Sequence, residues 1–166
     1  MIYAVALALA SAGNASPVTQ IETLHCGAVE YRMASGASPG EAAPLAPAFQ
    51  TLIRRAGVKQ DHGQLERGPS VVIRGHRVLA RYVSSWACLT GHHQTHYALL
   101  AYACSVEPGA EHDCGGEKEW FRLLDTRGRF VDPGVPHDGP QRERLYARLG
   151  ITAAMAGGVK MTPVVR

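Results

Sequence analysis

Past its first fifteen residues, the sequence lacks any segment that approaches the ~20 consecutive apolar residues of a membrane-spanning helix. Charge is sparse as well, because only 19% of the residues are charged and the net charge is +3. The basic residues are scattered along the chain and form no stripe. Nucleic-acid binding needs such a stripe together with stacking aromatic side chains. The sequence therefore predicts neither a nucleic-acid partner nor, past that first segment, a membrane partner.

Catalytic motifs are missing too. The chain has no H-E-x-x-H zinc motif, no G-x-S-x-G nucleophile turn and no C-x-x-C pair. The pair Gly115-Gly116 is not followed by a Lys and a helix, so it does not indicate phosphate binding. These absences predict a protein that has no catalytic residues and no cofactor.

One cluster keeps an enzymatic alternative open. The segment from Gly91 to His96 contains three histidines, and His92 and His96 are four residues apart, a metal-ligand spacing on a helix. The alternative function is a metal-dependent hydrolase that uses His92, His93 and His96. No acidic third ligand or general base accompanies them, so the favoured interpretation is a polar, solvated hairpin tip without a metal.

The first fifteen residues, MIYAVALALASAGNA, are an apolar run followed by small residues. This pattern is typical of a secretory signal with an A-x-A-like cleavage site, although an initial Lys or Arg is missing. An upstream start or an apolar first strand is the alternative. We expect a signal peptide over residues 1–15 and a single domain over residues 16–166, which is periplasmic or secreted.

The central feature is the stretch from Arg77 to Cys104, which predicts two long strands folded back on each other. β-Branched and aromatic residues are common in both halves, and a polar turn at residues 91–94 separates them. With this tip, Cys88 lies opposite Tyr97. A helix is the competing interpretation, and the glycine at the turn argues against it.

Shorter patterns predict the remaining elements. Strands are expected at Val18–Tyr31 with a break near Gly27, at Ser70–Arg74, at Glu119–Leu124 and, on an edge, at Val159–Val165. Turns are expected at Gly75-His76 and at Asp125–Gly128, the second leading into a strand at Arg129–Val131, whereas Val58–Pro69 is polar and turn-like. Pro47–Ala56 fits either a short helix or a strand.

A helix is predicted near the end of the chain, at Pro140–Leu149, where Asp138 can cap its start and Gly150 ends it. The fold class is therefore mainly β. We expect a single antiparallel β domain of about six or seven strands with one short C-terminal helix.

Four cysteines in an exported chain predict two disulfides, and the missing C-x-x-C spacing disfavours a zinc site. In the predicted hairpin, Cys104 lies seven residues, or roughly 24 Å, beyond the position opposite Cys88. Bonded cysteines need Cα atoms within about 7 Å, so these two are not partners. We expect Cys104 to pair with Cys114, closing the acidic loop between them, and Cys26 to pair with Cys88.

The general plan of the chain has four features: a signal-like start, a W-x-C at Trp86 and Cys88, a Y-x-C at Tyr102 and Cys104, and polar loops between strands. In this plan it resembles the periplasmic immunity proteins with which bacteria protect themselves from cell-wall-degrading amidase toxins delivered by type VI secretion. Periplasmic lysozyme inhibitors share the plan. The resemblance implies a binding protein whose partner is a secreted peptidoglycan-degrading toxin, which it inhibits by inserting a loop in the active-site cleft.

Two loops are candidates for this contact. A loop held by a disulfide loses less entropy on binding, which favours the segment after Cys104 over the hairpin tip. The predicted partner-binding residues are Ser105, Glu107, Glu111, His112 and Asp113 in that segment and His92, His93 and Gln94 at the tip.

Overall fold

The computed structural model describes residues 19–37, 46–105, 119–132, 140–152 and 159–165. The predicted signal peptide lies outside these ranges. Within them the chain forms ten strands and one α-helix: β1 Thr19–Cys26, β2 Val29–Gly36, β3 Phe49–Ala56, β4 Lys59–His62, β5 Ser70–Ile73, β6 His76–Leu79, β7 Arg81–Thr90, β8 His96–Cys104, β9 Glu119–Leu124, α1 Pro140–Leu149 and β10 Thr162–Pro163.

The strands form two four-stranded antiparallel sheets and a small hairpin. The first sheet has the order β1-β2-β3-β4, the second has the order β10-β7-β8-β9, and β5 pairs only with β6. The mainly β, antiparallel class is confirmed, but the strands number ten. Two glycines in the left-handed region, Gly27 at φ +63° and Gly57 at φ +60°, make tight turns that divide the first sheet into more strands than expected.

The two sheets pack face to face, and their inner faces share one core. Val29, Tyr31, Met33 and Leu52 come from the first sheet. Val83, Trp86, Leu100, Tyr102 and Leu124 come from the second. A disulfide between Cys26 on β1 and Cys88 on β7 joins the sheets, with the two Cα atoms 5.2 Å apart. This confirms one of the two predicted pairings.

The outer face of the second sheet is covered by α1. Leu145 packs there with Leu99 and Leu123, and the chain after the helix adds Ile151 to the same cluster. The predicted bounds of this helix are confirmed, and Gly150, at φ +71°, ends it. Its predicted cap, Asp138, lies outside the described residues. No helix in the described ranges is long and apolar enough to cross a membrane.

The central hairpin is confirmed, but its predicted register is wrong by one residue. Cys88 lies opposite Ala98 rather than Tyr97. The tip has five residues instead of four, because a single 3₁₀ turn at His92–Gln94 widens it. A bulge between Val83 and Ser85 inserts an extra residue in β7.

Other local predictions also differ from the structure. The first strand of the hairpin begins at Arg81, because His76–Leu79 pairs with β5 across a turn at Arg74-Gly75, where both residues have positive φ. Pro47–Ala56 proves to be a strand, β3. Val58–Pro69 contains β4, whose four residues are all exposed, so no apolar alternation marks it. The expected strand at Arg129–Val131 is reduced to one bridge, between Leu124 and Phe130.

Candidate functional site

A cleft of about 290 Å³ opens along one edge of the sandwich. One side is formed by the start of β3 and the other by residues 63–68, which follow β4 and are called the wall segment here. The inner end is lined by Leu79 of β6 and by Arg81 and Tyr102 of the second sheet. The cleft therefore lies where the two sheets meet, and both sheets contribute side chains to it.

The beginning of the wall segment is fixed by hydrogen bonds to its neighbours. Gly63 donates its N–H to the carbonyl of Leu52 at 3.0 Å, and Gln64 donates its N–H to the carbonyl of Gly128 at 2.7 Å. The Gln64 side chain in turn accepts the N–H of Phe130 at 2.7 Å. Irregular backbone is thus tied to the first sheet and to the turn that follows β9.

The middle of the wall segment is held by Glu66, which reaches into the core. Its N–H donates to the Tyr102 hydroxyl oxygen at 3.0 Å, and its carboxylate accepts the indole N–H of Trp120 at 3.0 Å. The other carboxylate oxygen is paired with the guanidinium group of Arg122, which also forms an ion pair with Asp132. Both oxygens of Glu66 are therefore occupied, which suits a structural anchor better than a general base.

These anchoring groups are shielded from water. The side chains of Arg122 and Asp132 are 5% and 0% exposed, and that of Glu66 is 16% exposed. The Arg122 guanidinium carbon also lies 3.8 Å from the centre of the Phe130 ring. Burial raises the pKa of the Tyr102 hydroxyl above its usual value, so this hydroxyl stays protonated and can accept the Glu66 N–H.

The opposite side of the cleft is fixed by Gln50 on β3. Its side-chain amide accepts the N–H of Val83 at 2.7 Å and donates to the carbonyl of the same residue at 2.8 Å. It also contacts the hydroxyl of Ser35 at 3.2 Å. A single side chain thus continues the hydrogen bonding of β7 and joins the two sheets at the edge of the cleft.

Two arginines at the cleft differ from Arg122 in the network. Arg67 is exposed, and Arg81 is half-buried with its guanidinium carbon 5.6 Å from the centre of the Trp120 ring. In the part of the chain that the structure describes, neither forms an ion pair with a carboxylate. The cleft therefore offers two cationic groups that form no ion pair with any carboxylate of the described residues.

No protein-family model, curated protein or solved structure matches this chain. No relative therefore supplies a function or a set of site residues.

The predicted hairpin tip lies at the other end of the molecule from the cleft. The tip follows Thr90, whereas Arg81 at the cleft is nine residues earlier on β7, which is about 30 Å along the strand. His92, His93 and Gln94 are all exposed there. They remain predicted partner-binding residues, but they cannot share one small contact with the cleft.

The tip histidines point to different neighbours. A methyl group on Gly150 would lie 2.2 Å from Cγ of His92, which places that ring against the end of α1. The His96 ring packs on Gly27 instead, and its Nδ1 lies 3.2 Å from the hydroxyl of Thr90. Among the described residues, no three His, Cys, Asp or Glu side chains are grouped so that they could hold a metal ion.

The second predicted loop begins beside the cleft. Ser105 is buried, and its hydroxyl donates to the carbonyl of Leu79 at 2.6 Å, which ties the start of this loop to β6. It remains a predicted partner-binding residue. Cys104 is disulfide-bonded. The other predicted residues of this loop, Glu107, Glu111, His112 and Asp113, lie outside the described residues, as does Cys114.

Sequence reasoning missed the cleft, its arginines and the buried network. One signal was available: Trp120, Arg122 and Leu124 alternate on β9, so they share a face. An arginine flanked by two apolar residues on one strand face indicates a buried charge that needs partners. Nothing in the sequence marks Glu66 as that partner, because 56 positions separate the two residues.

Proposed function

We propose that this protein is an exported binding protein that inhibits a partner protein. In its most specific form it is an immunity protein that blocks a secreted, peptidoglycan-degrading toxin. The observation that supports this proposal is the common position of two features. The cleft lies at the same end of the sandwich as Ser105 and Glu119, the described residues on either side of residues 106–118.

The two ends of that segment are held on neighbouring strands. Ala103 on β8 pairs with Glu119 on β9, and the adjacent rings of Tyr102 and Trp120 stack with centroids 5.4 Å apart. Arg81, which lines the cleft, pairs with Cys104 directly before the segment begins. Binding residues are often on loops that a rigid scaffold positions. This end of the molecule therefore suits a tight contact with another protein.

Export is supported by the disulfide between the sheets. Disulfide bonds form and persist in oxidising compartments such as the periplasm and are rare in the cytosol. The Cys26–Cys88 bond spans 62 positions and ties the edge of the first sheet to the middle of the second. A bond of this kind suits a protein that must keep its shape outside the cell.

The test uses the protein encoded by the neighbouring gene, where that gene specifies a small exported protein with catalytic Cys and His residues. Purified peptidoglycan is digested by this toxin candidate with and without our protein, and the affinity of the pair is measured by calorimetry. We expect stoichiometric inhibition. One variant replaces residues 107–113 by a Gly/Ser segment of equal length and keeps both flanking cysteines.

A binding loop should carry hot-spot residues, so this variant should lose at least ~2 kcal/mol of binding free energy, about thirtyfold in affinity. The matched control replaces His92, His93 and Gln94 together by Ala at the far end of the molecule. We expect the control to bind normally. If the tip variant loses affinity and the loop variant binds normally, the contact surface lies at the hairpin tip. If the toxin candidate still digests the peptidoglycan fully in the presence of excess protein, inhibition is refuted.

A further inference from the structure

We infer that the cleft is a binding site for a carboxylate group attached to an apolar, preferably aromatic, body. Arg81 and Arg67 would bind the carboxylate, and Phe49 would contact the apolar body. All three residues line the cleft.

The carboxylate part of the inference depends on the position of Arg81. Its guanidinium group lies over the Trp120 ring, and Gly68 of the wall segment approaches its stem so closely that a methyl group there would lie 3.3 Å from Cβ and Cγ. The N–H donors of a guanidinium group lie in its own plane, and the neighbouring ring and Gly68 limit how this group can move. Its freedom is therefore reduced before a ligand arrives, and planar N–H donors match the two oxygens of a carboxylate.

Among the described residues that line the cleft, cationic side chains outnumber anionic ones. Together with the ion-pair network behind it, the described charged groups are Arg67, Arg81, Arg122, Glu66 and Asp132. Three are cationic and two are anionic, which leaves one net positive charge from these groups. Hydrogen bonds from Arg122 and Trp120 to the two oxygens of Glu66 offset part of the repulsion between that carboxylate and an anionic ligand.

The apolar part follows from the other lining residues. Phe49 is 38% exposed, so part of its ring is accessible, and the ring rests on Gly36. Leu52 and Leu65 also face the cleft. A volume near 290 Å³ is at the lower limit of small-ligand sites, so it fits a single ring with a short acidic chain or one side chain of a protein.

The experiment titrates 3-phenylpropionate into the ¹⁵N-labelled full-length protein and follows backbone NMR signals, with 3-phenylpropionamide as the neutral ligand of equal shape. We expect saturable shifts at residues 49–52 and 63–68 with the acid and at least about tenfold weaker binding of the amide. Arg81→Gln and Arg67→Gln should weaken binding of the acid, Arg81→Gln by about tenfold or more. Arg144→Gln on α1 makes the same change in charge on the opposite side of the second sheet and should leave binding unchanged.

Three results would overturn the inference. They are equal affinity for the acid and the amide, a loss of affinity in Arg144→Gln as large as that in Arg81→Gln, and no saturable binding of the acid at millimolar concentrations. Arg67 is exposed, so its variant remains informative even if Arg81→Gln disturbs the fold. Binding of the probe needs no partner protein, so the test stands if the inhibitor proposal fails.

Two sources can supply the carboxylate, and the toxin candidate distinguishes them. If the arginine variants bind it less tightly and 3-phenylpropionate competes with it, the natural ligand is an acidic residue or C-terminus of the partner. If the probe binds but the affinity for the candidate does not change, the ligand is a free organic acid. Both results support a carboxylate site.

Discussion

Replacing Arg122 by Met should destabilise the protein more than Arg67→Gln, Arg81→Gln or Arg144→Gln. Arg122 is the cation between two shielded carboxylates, Glu66 and Asp132. The replacement keeps an unbranched side chain of similar reach but removes the charge and every N–H donor. Both carboxylates then remain in the protein interior without their common partner.

The magnitude follows from burial. Removing one partner of a buried ion pair typically costs about 3–5 kcal/mol, because the remaining charge is neither solvated nor paired. The lost contact with the Phe130 ring adds roughly 1 kcal/mol. For a domain of this size, each kcal/mol lowers the melting temperature by about 2–4 °C, so we expect a decrease of about 10 °C or more.

Urea unfolding at neutral pH, followed by tryptophan fluorescence, measures the loss. Arg122→Lys keeps a charge but not the planar donors, so its loss should be intermediate. The triple variant Glu66→Gln, Arg122→Met, Asp132→Asn removes the charges together and should recover most of the stability lost in Arg122→Met. A loss below about 1 kcal/mol in the single variant, within the range of surface substitutions, would refute the buried-network explanation.

Three further predictions concern other parts of the fold. Replacing Cys26 and Cys88 together by Ala should lower the unfolding free energy in urea by about 4 kcal/mol, from the chain entropy of a closure over 62 positions; a loss below half that value would contradict the entropic explanation. Gln50→Met should cost about 2 kcal/mol or more in the same assay, because it leaves the N–H and carbonyl of buried Val83 without their side-chain partner. Burial raises the pKa of Tyr31 from 10.0 to about 12, so its contribution to stability should be complete below pH 10 and decrease as the pH rises towards 12. Unfolding measured across this range should depend less on pH in Tyr31→Phe, and an unchanged dependence would contradict the assigned pKa.

Elements defined by local chemistry were the ones that the sequence predicted well. Helix α1 is bounded by Pro140 and Gly150, which act within one turn of the backbone, and its bounds are confirmed. The turn after β9 is confirmed as well, with the Gly128 N–H donating to the Asp125 carbonyl at 2.9 Å. For the Cys26–Cys88 pairing, strand geometry excluded Cys88 with Cys104 whatever the register within one or two residues, and pairing Cys104 with Cys114 across the short loop left Cys26 for Cys88.

Features that depend on distant parts of the chain were not predicted. An edge strand such as β4 has no buried face, so its sequence carries no alternation. The wall segment has no regular structure, and its polar composition indicated only a turn. Its shape comes from side-chain hydrogen bonds, such as that of Gln64 with Phe130 across 66 positions. Propensity and periodicity describe the backbone of nearby residues, and neither can detect such a bond.

The buried network and the cleft are parts of one arrangement. A buried ion pair such as that of Arg122 often adds no net stability, because replacing the whole pair by well-packed apolar residues commonly leaves the free energy of unfolding unchanged or raises it. What the network adds is position: Glu66 holds the middle of the wall segment against Trp120, and Arg81 lies on the same ring. The charge-free triple variant should therefore separate the two properties. It should regain stability while binding 3-phenylpropionate more weakly than the wild type, because the wall segment then lacks the ion pair with Arg122 that helps to hold its middle beside Arg81. If binding and stability recover together, the network serves the fold alone.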